Sequence, residues 1–110
     1  MTERKCSYLP KFMSNLSQKD QLIRYHVLVS GKVQGVGYRM SVLQAAQKLS
    51  LNGWVRNLSD GRVEAVFEGN ISDTKQMVDW CRQGNKMAVV EDIASKQETP
   101  EGIQGFKIRH

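Results

Sequence analysis

Apolar and polar positions follow two different periods along this chain after about residue 21. From Leu22 to Ser30 they alternate: Ile23, Tyr25, Val27 and Val29 fall on one side, Arg24, His26 and Ser30 on the other. That is the pattern of a half-buried strand. From Tyr38 to Leu49 the period changes, and Tyr38, Val42, Ala45, Ala46 and Leu49 recur at three- and four-residue spacings. This is one apolar stripe of a helix of about three turns. Asn52-Gly53 reads as the end of that helix, and Leu51–Asn57 as a short strand. The turn Leu58-Ser59-Asp60-Gly61 carries the Asp-Gly hairpin signal. The return strand, Arg62–Gly69, places Val63, Ala65 and Phe67 on one face and leaves Arg62, Glu64 and Glu68 as the wet face.

Asn70–Arg82 predicts a second helix, with Ile71, Thr74, Met77, Val78 and Cys81 as its buried stripe. Asn70 or Ser72 suits its N-cap, Asp73 its positive first turn, and Gly84 its C-cap. Met87–Gln97 reads as a strand, Thr99–Gly105 as a loop, and Phe106–Arg109 as a last short strand. The resulting order predicts an α+β, ferredoxin-like βαββαβ sandwich, with two helices on one face of a mostly antiparallel sheet of four to five strands. In that topology the first two strands run parallel with the third between them. Their C-terminal ends then lie at one edge of the sheet, which brings Asn57 toward the loop that follows the first strand.

That loop, Gly31-Lys-Val-Gln-Gly-Val-Gly-Tyr-Arg39, is where the chemistry concentrates. It joins a strand to a helix start, where the first backbone N–H groups have no partner within the helix and the dipole is positive. Glycines let successive N–H groups turn inward as a nest. Arg39 adds a planar fork of donors suited to two phosphate oxygens. The loop is therefore a candidate phosphate or carboxylate cradle. It is not a P-loop, since no Gly-Lys-Ser or Gly-Lys-Thr closes it, and its glycine spacing is not that of a dinucleotide fingerprint. The plainer alternative is a glycine-rich turn with a solvated arginine. Asn57, on the residues alone, reads as an ordinary asparagine before the Asp60-Gly61 turn.

Composition narrows the partners. A 110-residue chain is one domain, and a net charge of +5 favours anionic ligands. The positive residues are scattered and no aromatic-basic motif stands out, so nucleic acid is not an expected partner. Cys6 and Cys81 are far apart and form no Cys-x-x-Cys, which suits a reducing, cytoplasmic setting. His26 and His110 are isolated, so no metal site is expected. His26 reads as a strand-face residue and His110 as a chain end. No segment is long and apolar enough for a membrane span. Residues 1–21 read as a disordered extension, with Met13 as an alternative start.

The loop and the segments after it resemble a known family. Gly31-Lys-Val-Gln-Gly-Val-Gly-Tyr-Arg39 is similar to the first signature of the acylphosphatases, and Gly53-Trp-Val-Arg-Asn57 with Gly61–Gly69 to the second. Trp80–Gly84 and Gly105–Arg109 fit the same pattern, so the resemblance covers residues 22–110. It implies hydrolysis of a small-molecule acyl phosphate to a carboxylate and inorganic phosphate, by a monomer without metal or cofactor. By the resemblance, Arg39 is the phosphate-binding arginine and Asn57 holds the attacking water. The backbone N–H groups of Gln34, Gly35, Val36, Gly37 and Tyr38 line the phosphate. The chain departs from the pattern after Gly84, where the family often has proline and this sequence has Asn85-Lys86-Met87; by the resemblance that region is not catalytic. A module that binds a phosphorylated ligand without cleaving it is the alternative reading.

Overall fold

A computed structural model describes residues 21–110. The extension foreseen at the N-terminus, with Cys6 and Met13, thus lies outside the described residues except for Gln21. The elements are β1 (Leu22–Lys32), α1 (Tyr38–Lys48), β2 (Asn52–Asn57), β3 (Val63–Asn70), α2 (Ile71–Gln83), β4 (Val89–Glu98) and β5 (Phe106–Ile108). The sheet order is β4-β1-β3-β2-β5. β1 pairs antiparallel with β3 and β4, and β3 with β2; only the β2–β5 pair is parallel. β1 and β2 therefore point the same way across β3, and both end at the edge from which α1 departs.

Register explains the core. Val27 sits opposite Ala65, Val29 opposite Val63, and Val55 opposite Ala65. All of these are buried, together with Phe67 from β3, Tyr38, Val42 and Ala46 from α1, and Met77, Val78 and Cys81 from α2. One sheet face thus meets both helices in a single apolar layer, where each buried aliphatic side chain contributes roughly 1.5–3 kcal/mol. Phe67 stacks on Phe106 of β5, ring centres 5.6 Å apart, which ties the edge strand to this layer.

Both helices end by local rules. Asn70 caps α2: its Oδ1 accepts the Asp73 N–H at 2.8 Å, and its Nδ2 donates to the Asp73 carboxylate at 3.0 Å. Gly84 closes α2 at φ 67° and ψ −158°, its N–H bonded to the Trp80 carbonyl. α1 ends differently from the expectation. Asn52-Gly53 does not terminate it; Ser50 does, at φ 56°. The Leu51 N–H reaches the Ala46 carbonyl and the Ser50 N–H that of Gln47, a Schellman closure with serine where glycine is usual. Gly53 instead lies within β2 at φ 143°, because a Cβ there would stand 1.8 Å from the Val66 carbonyl oxygen.

Glu68 is a second correction. Alternation placed it on a wet face, but it is 1 % exposed, and Arg24 on the same face is 6 % exposed. β4 and β5 occupy opposite edges of the sheet, so their connection must cross it. The crossing follows one cross-strand row, Glu98–Arg24–Glu68–Asn52. Arg24 donates to Glu68 at 2.8 Å and to Glu98 at 3.0 Å. The N–H groups of Glu101, Gly102 and Ile103 donate to the Glu68 carboxylate at 2.8–3.2 Å. A buried carboxylate is thereby satisfied by a cation and three amides.

Candidate active site

The loop between β1 and α1 forms a cleft of about 320 Å³ at the end of the sheet opposite that crossing. Gly35, Gly37, Tyr38 and Arg39 contribute one wall and Asn57 another; Val33, Met40, Ile108 and His110 complete it. Gly35 and Gly37 take φ values of 76° and 74°. A Cβ at Gly35 would meet nothing within 4 Å, so glycine is required there by backbone conformation and not by space. The expected gathering thus occurs: the two side chains singled out, Arg39 and Asn57, and three of the loop positions line one cleft, and Gln34 and Val36 belong to the same loop.

The loop is fastened on three sides. Gln34 Nε2 donates to the carbonyls of Leu58 and Arg62, at 2.8 and 2.9 Å, and so ties the cradle to the turn just beyond Asn57. The Tyr38 hydroxyl donates to the Cys81 carbonyl at 2.9 Å, anchoring the head of α1 in the core. On the far side, Asn85 Nδ2 donates to the Val36 carbonyl at 3.0 Å. The Ser41 N–H bonds to the Gly37 carbonyl, which starts α1 without a side-chain cap and leaves the preceding N–H groups outside the helix ladder.

The electrostatics assign roles by exclusion. Burial pushes the Tyr38 hydroxyl far above its usual range, with the neighbouring Cys81 adding to the effect. Burial likewise raises the Cys81 thiol to about 12, against a smaller lowering by the bond with Tyr38. Neither group ionises near neutrality, so neither serves as base or nucleophile. Arg39 pairs with no carboxylate among the described residues, so its guanidinium is available to an anion in the cleft. Among the same residues no group of three or more His, Cys, Asp or Glu is placed to hold a metal ion.

Asn57 is the most informative residue. Its Oδ1 is buried and accepts no hydrogen bond from the described residues. An unpaired buried amide oxygen costs about 1–3 kcal/mol, and Asn57 carries that cost in a residue that lines the cleft. Sequence reasoning found Arg39, Asn57 and the glycines, but not Met40, Ile108 or His110. Ile108 and His110 reach the cleft because β5 lies parallel beside β2, a pairing that no local pattern shows.

The fold is ferredoxin-like, with a glycine-rich strand-to-helix loop, an arginine and an asparagine lining one cleft, and that combination defines the class of protein. The acylphosphatase family model matches residues 25–108. The acylphosphatase of Trichormus variabilis is 54% identical over 97 residues, covering 88% of this chain and 96% of that protein. The solved acylphosphatase of Coxiella burnetii superposes with a TM-score of 0.79 at 37% identity, over 84% of this chain and 97% of its own. That of Bacillus subtilis gives 0.78 at 37% identity, over 82% and 100%. The chain belongs to the acylphosphatase family, and its reaction is hydrolysis of acyl phosphates.

Proposed function

We propose that residues 22–110 form the catalytic domain, in which the Gly31–Arg39 loop holds the phosphoryl group of a small acyl phosphate while Asn57 Oδ1 orients the attacking water. The observation that carries this reading is the gathering of Arg39, Asn57 and the cradle glycines around one cleft, with the Asn57 Oδ1 left without a hydrogen-bond partner among the described residues. An acyl phosphate is a mixed anhydride, and its carboxylate leaves without acid assistance. The enzyme's task is electrostatic and geometric: hold three phosphoryl oxygens, stabilise their charge and align water in line. The guanidinium of Arg39 takes two oxygens, and the N–H groups of Gln34 to Tyr38 take the third.

The water oxygen forms the new bond to phosphorus. The bond from phosphorus to the acyl oxygen breaks, and its electron pair leaves with the carboxylate. Asn57 accepts one O–H of the water and, as an amide, does not take the proton. A phosphoryl oxygen receives it, giving inorganic phosphate. No described helix is long and apolar enough to cross a membrane. The buried Cys81 thiol, held protonated, fits a cytoplasmic setting.

The test is hydrolysis of benzoyl phosphate, with a chelator present, by the wild type, Arg39→Ala and Asn57→Ala, each checked for folding. Losing an oriented group of this kind costs on the order of 100- to 1,000-fold in rate. Asn57→Ala also removes an unsatisfied buried oxygen, so its Tm should equal or exceed that of the wild type. A folded Asn57→Ala variant with wild-type turnover would overturn the role of Asn57. A folded wild type that binds phosphate without hydrolysis would indicate a ligand-binding module instead.

A further inference from the structure

We propose that Asn85 is a positioning residue of the cradle, holding the Val36–Gly37 peptide so that the Gly37 N–H faces the anion. This rests on the reading of the loop as the phosphoryl site. Asn85 does not line the cleft. It lies behind the loop, in the groove between α1 and α2. Its Nδ2 donates to the Val36 carbonyl at 3.0 Å and to Ser41 Oγ at 3.1 Å. Its Oδ1 accepts the N–H groups of Met87 at 3.0 Å and Ala88 at 2.9 Å. Two acceptor bonds and two donor bonds fix which way the amide points.

In a trans peptide the carbonyl and the following N–H point in opposite directions. Drawing the Val36 carbonyl backward to Asn85 therefore turns the Gly37 N–H forward, toward the cleft that Gly37 lines. Gly37 is left-handed at φ 74°, a conformation in which a glycine peptide has other orientations of similar energy. Something must select one, and Asn85 is the side chain that touches this peptide from behind; even a Cβ built on Gly37 would be only 3.9 Å from its Nδ2. The bond to Ser41 places the same amide against the first turn of α1, where Arg39 sits. One side chain thus sets the cradle peptide in register with the arginine helix. A proline at position 85 has no donor with which to do this.

The experiment uses the full chain labelled with 15N and inorganic phosphate as probe. It follows the Gly37 amide resonance during titration, together with the phosphate inhibition constant, kcat and KM on benzoyl phosphate, and Tm. Asn85→Ala removes all four bonds. Asn85→Asp keeps the acceptor for Met87 and Ala88, removes the donor and adds a negative charge, for which the next variant is the control. Lys86→Glu changes the neighbouring charge by two units and leaves Val36 alone. The expected result is a phosphate-induced shift of the Gly37 N–H in the wild type and in Lys86→Glu that is lost in both Asn85 variants. Their inhibition constants should rise by about tenfold, the effect of one lost oriented donor, while Asn85→Asp keeps its Tm near wild type. Unchanged Gly37 shifts and phosphate inhibition in both Asn85 variants would overturn the positioning role and leave the phosphate site standing. A wild-type Gly37 amide that ignores phosphate, while Arg39→Ala still abolishes inhibition, would also overturn it. Failure of the site reading itself would show separately, as phosphate inhibition indifferent to Arg39→Ala.

Discussion

Side chains with no part in the chemistry hold this site together. Gln34 was singled out for its backbone N–H, yet its side chain bridges to Leu58 and Arg62, 24 and 28 residues away. Gln34→Ala removes both of these hydrogen bonds and uncouples the cradle from the strand that carries Asn57. We expect it to lose about 1–2 kcal/mol of stability in urea titrations and roughly tenfold in kcat/KM. Tyr38 gives the opposite separation. Its hydroxyl stays protonated through the physiological range and serves only the Cys81 carbonyl. Tyr38→Phe should cost about 1 kcal/mol in Tm or urea measurements while leaving the pH profile of kcat unchanged. A lost or shifted limb in that profile would make Tyr38 a catalytic group after all.

At the scale of the element, identical residues carry different duties. Gly35 and Gly53 both have positive φ, but their surroundings differ. A Cβ on Gly35 would project into open space, whereas on Gly53 it would drive into the Val66 carbonyl at 1.8 Å and force β2 off β3. Gly35→Ala should therefore cost only the conformational strain, about 1–2 kcal/mol, and show itself mainly as weaker phosphate binding. Gly53→Ala should lose more than about 3 kcal/mol and shift the urea midpoint accordingly, or fail to fold. Equal stabilities for the two variants would show that the β2–β3 contact yields more easily than the backbone spacing implies.

Across the whole molecule, the crossing end of the sheet gathers donors around an anion of its own, the Glu68 carboxylate, whereas the proposed cradle at the other end would offer donors to an anion from outside. Burial raises the Glu68 carboxyl, but the amides of Glu101, Gly102 and Ile103 and the Arg24 guanidinium outweigh it and hold it below its usual value. Glu64 behaves likewise: burial raises it, and hydrogen bonds from His26 at 2.6 Å and Arg56 at 2.6 Å bring it below. Both carboxyls have lower pKa values folded than unfolded. Their stabilisation is complete above the unfolded carboxyl range, near about 4.3, and is lost as pH falls through the folded values. Urea unfolding between pH 7 and pH 3 should show stability falling below about pH 4.5. Glu68→Gln should be less stable than wild type at pH 7, because Arg24 loses its buried anion, and the difference should narrow on acidification. A difference constant with pH would remove Glu68 from the acid response.

What the sequence determined by itself was whatever rests on neighbours within a few residues. Strand alternation and the helical stripe depend on side-chain period, the Asn70 cap on a bond three residues long, and the glycine-rich cradle on backbone freedom. Those features, with Arg39 in the first turn of a helix, were legible from the residues alone, and the element order carried the fold class with them. Tertiary structure alone decided the rest. The Glu98–Glu101 stretch covers Glu68 only because β4 and β5 occupy opposite edges of the sheet. Ser50 closes α1 because Leu51 must turn into the core, where it is 4 % exposed. Asn85 reaches Val36 across 49 residues of chain, and Ile108 and His110 meet Asn57 through a parallel edge pairing. Such contacts join segments whose approach depends on strand order and packing, and no local period encodes them.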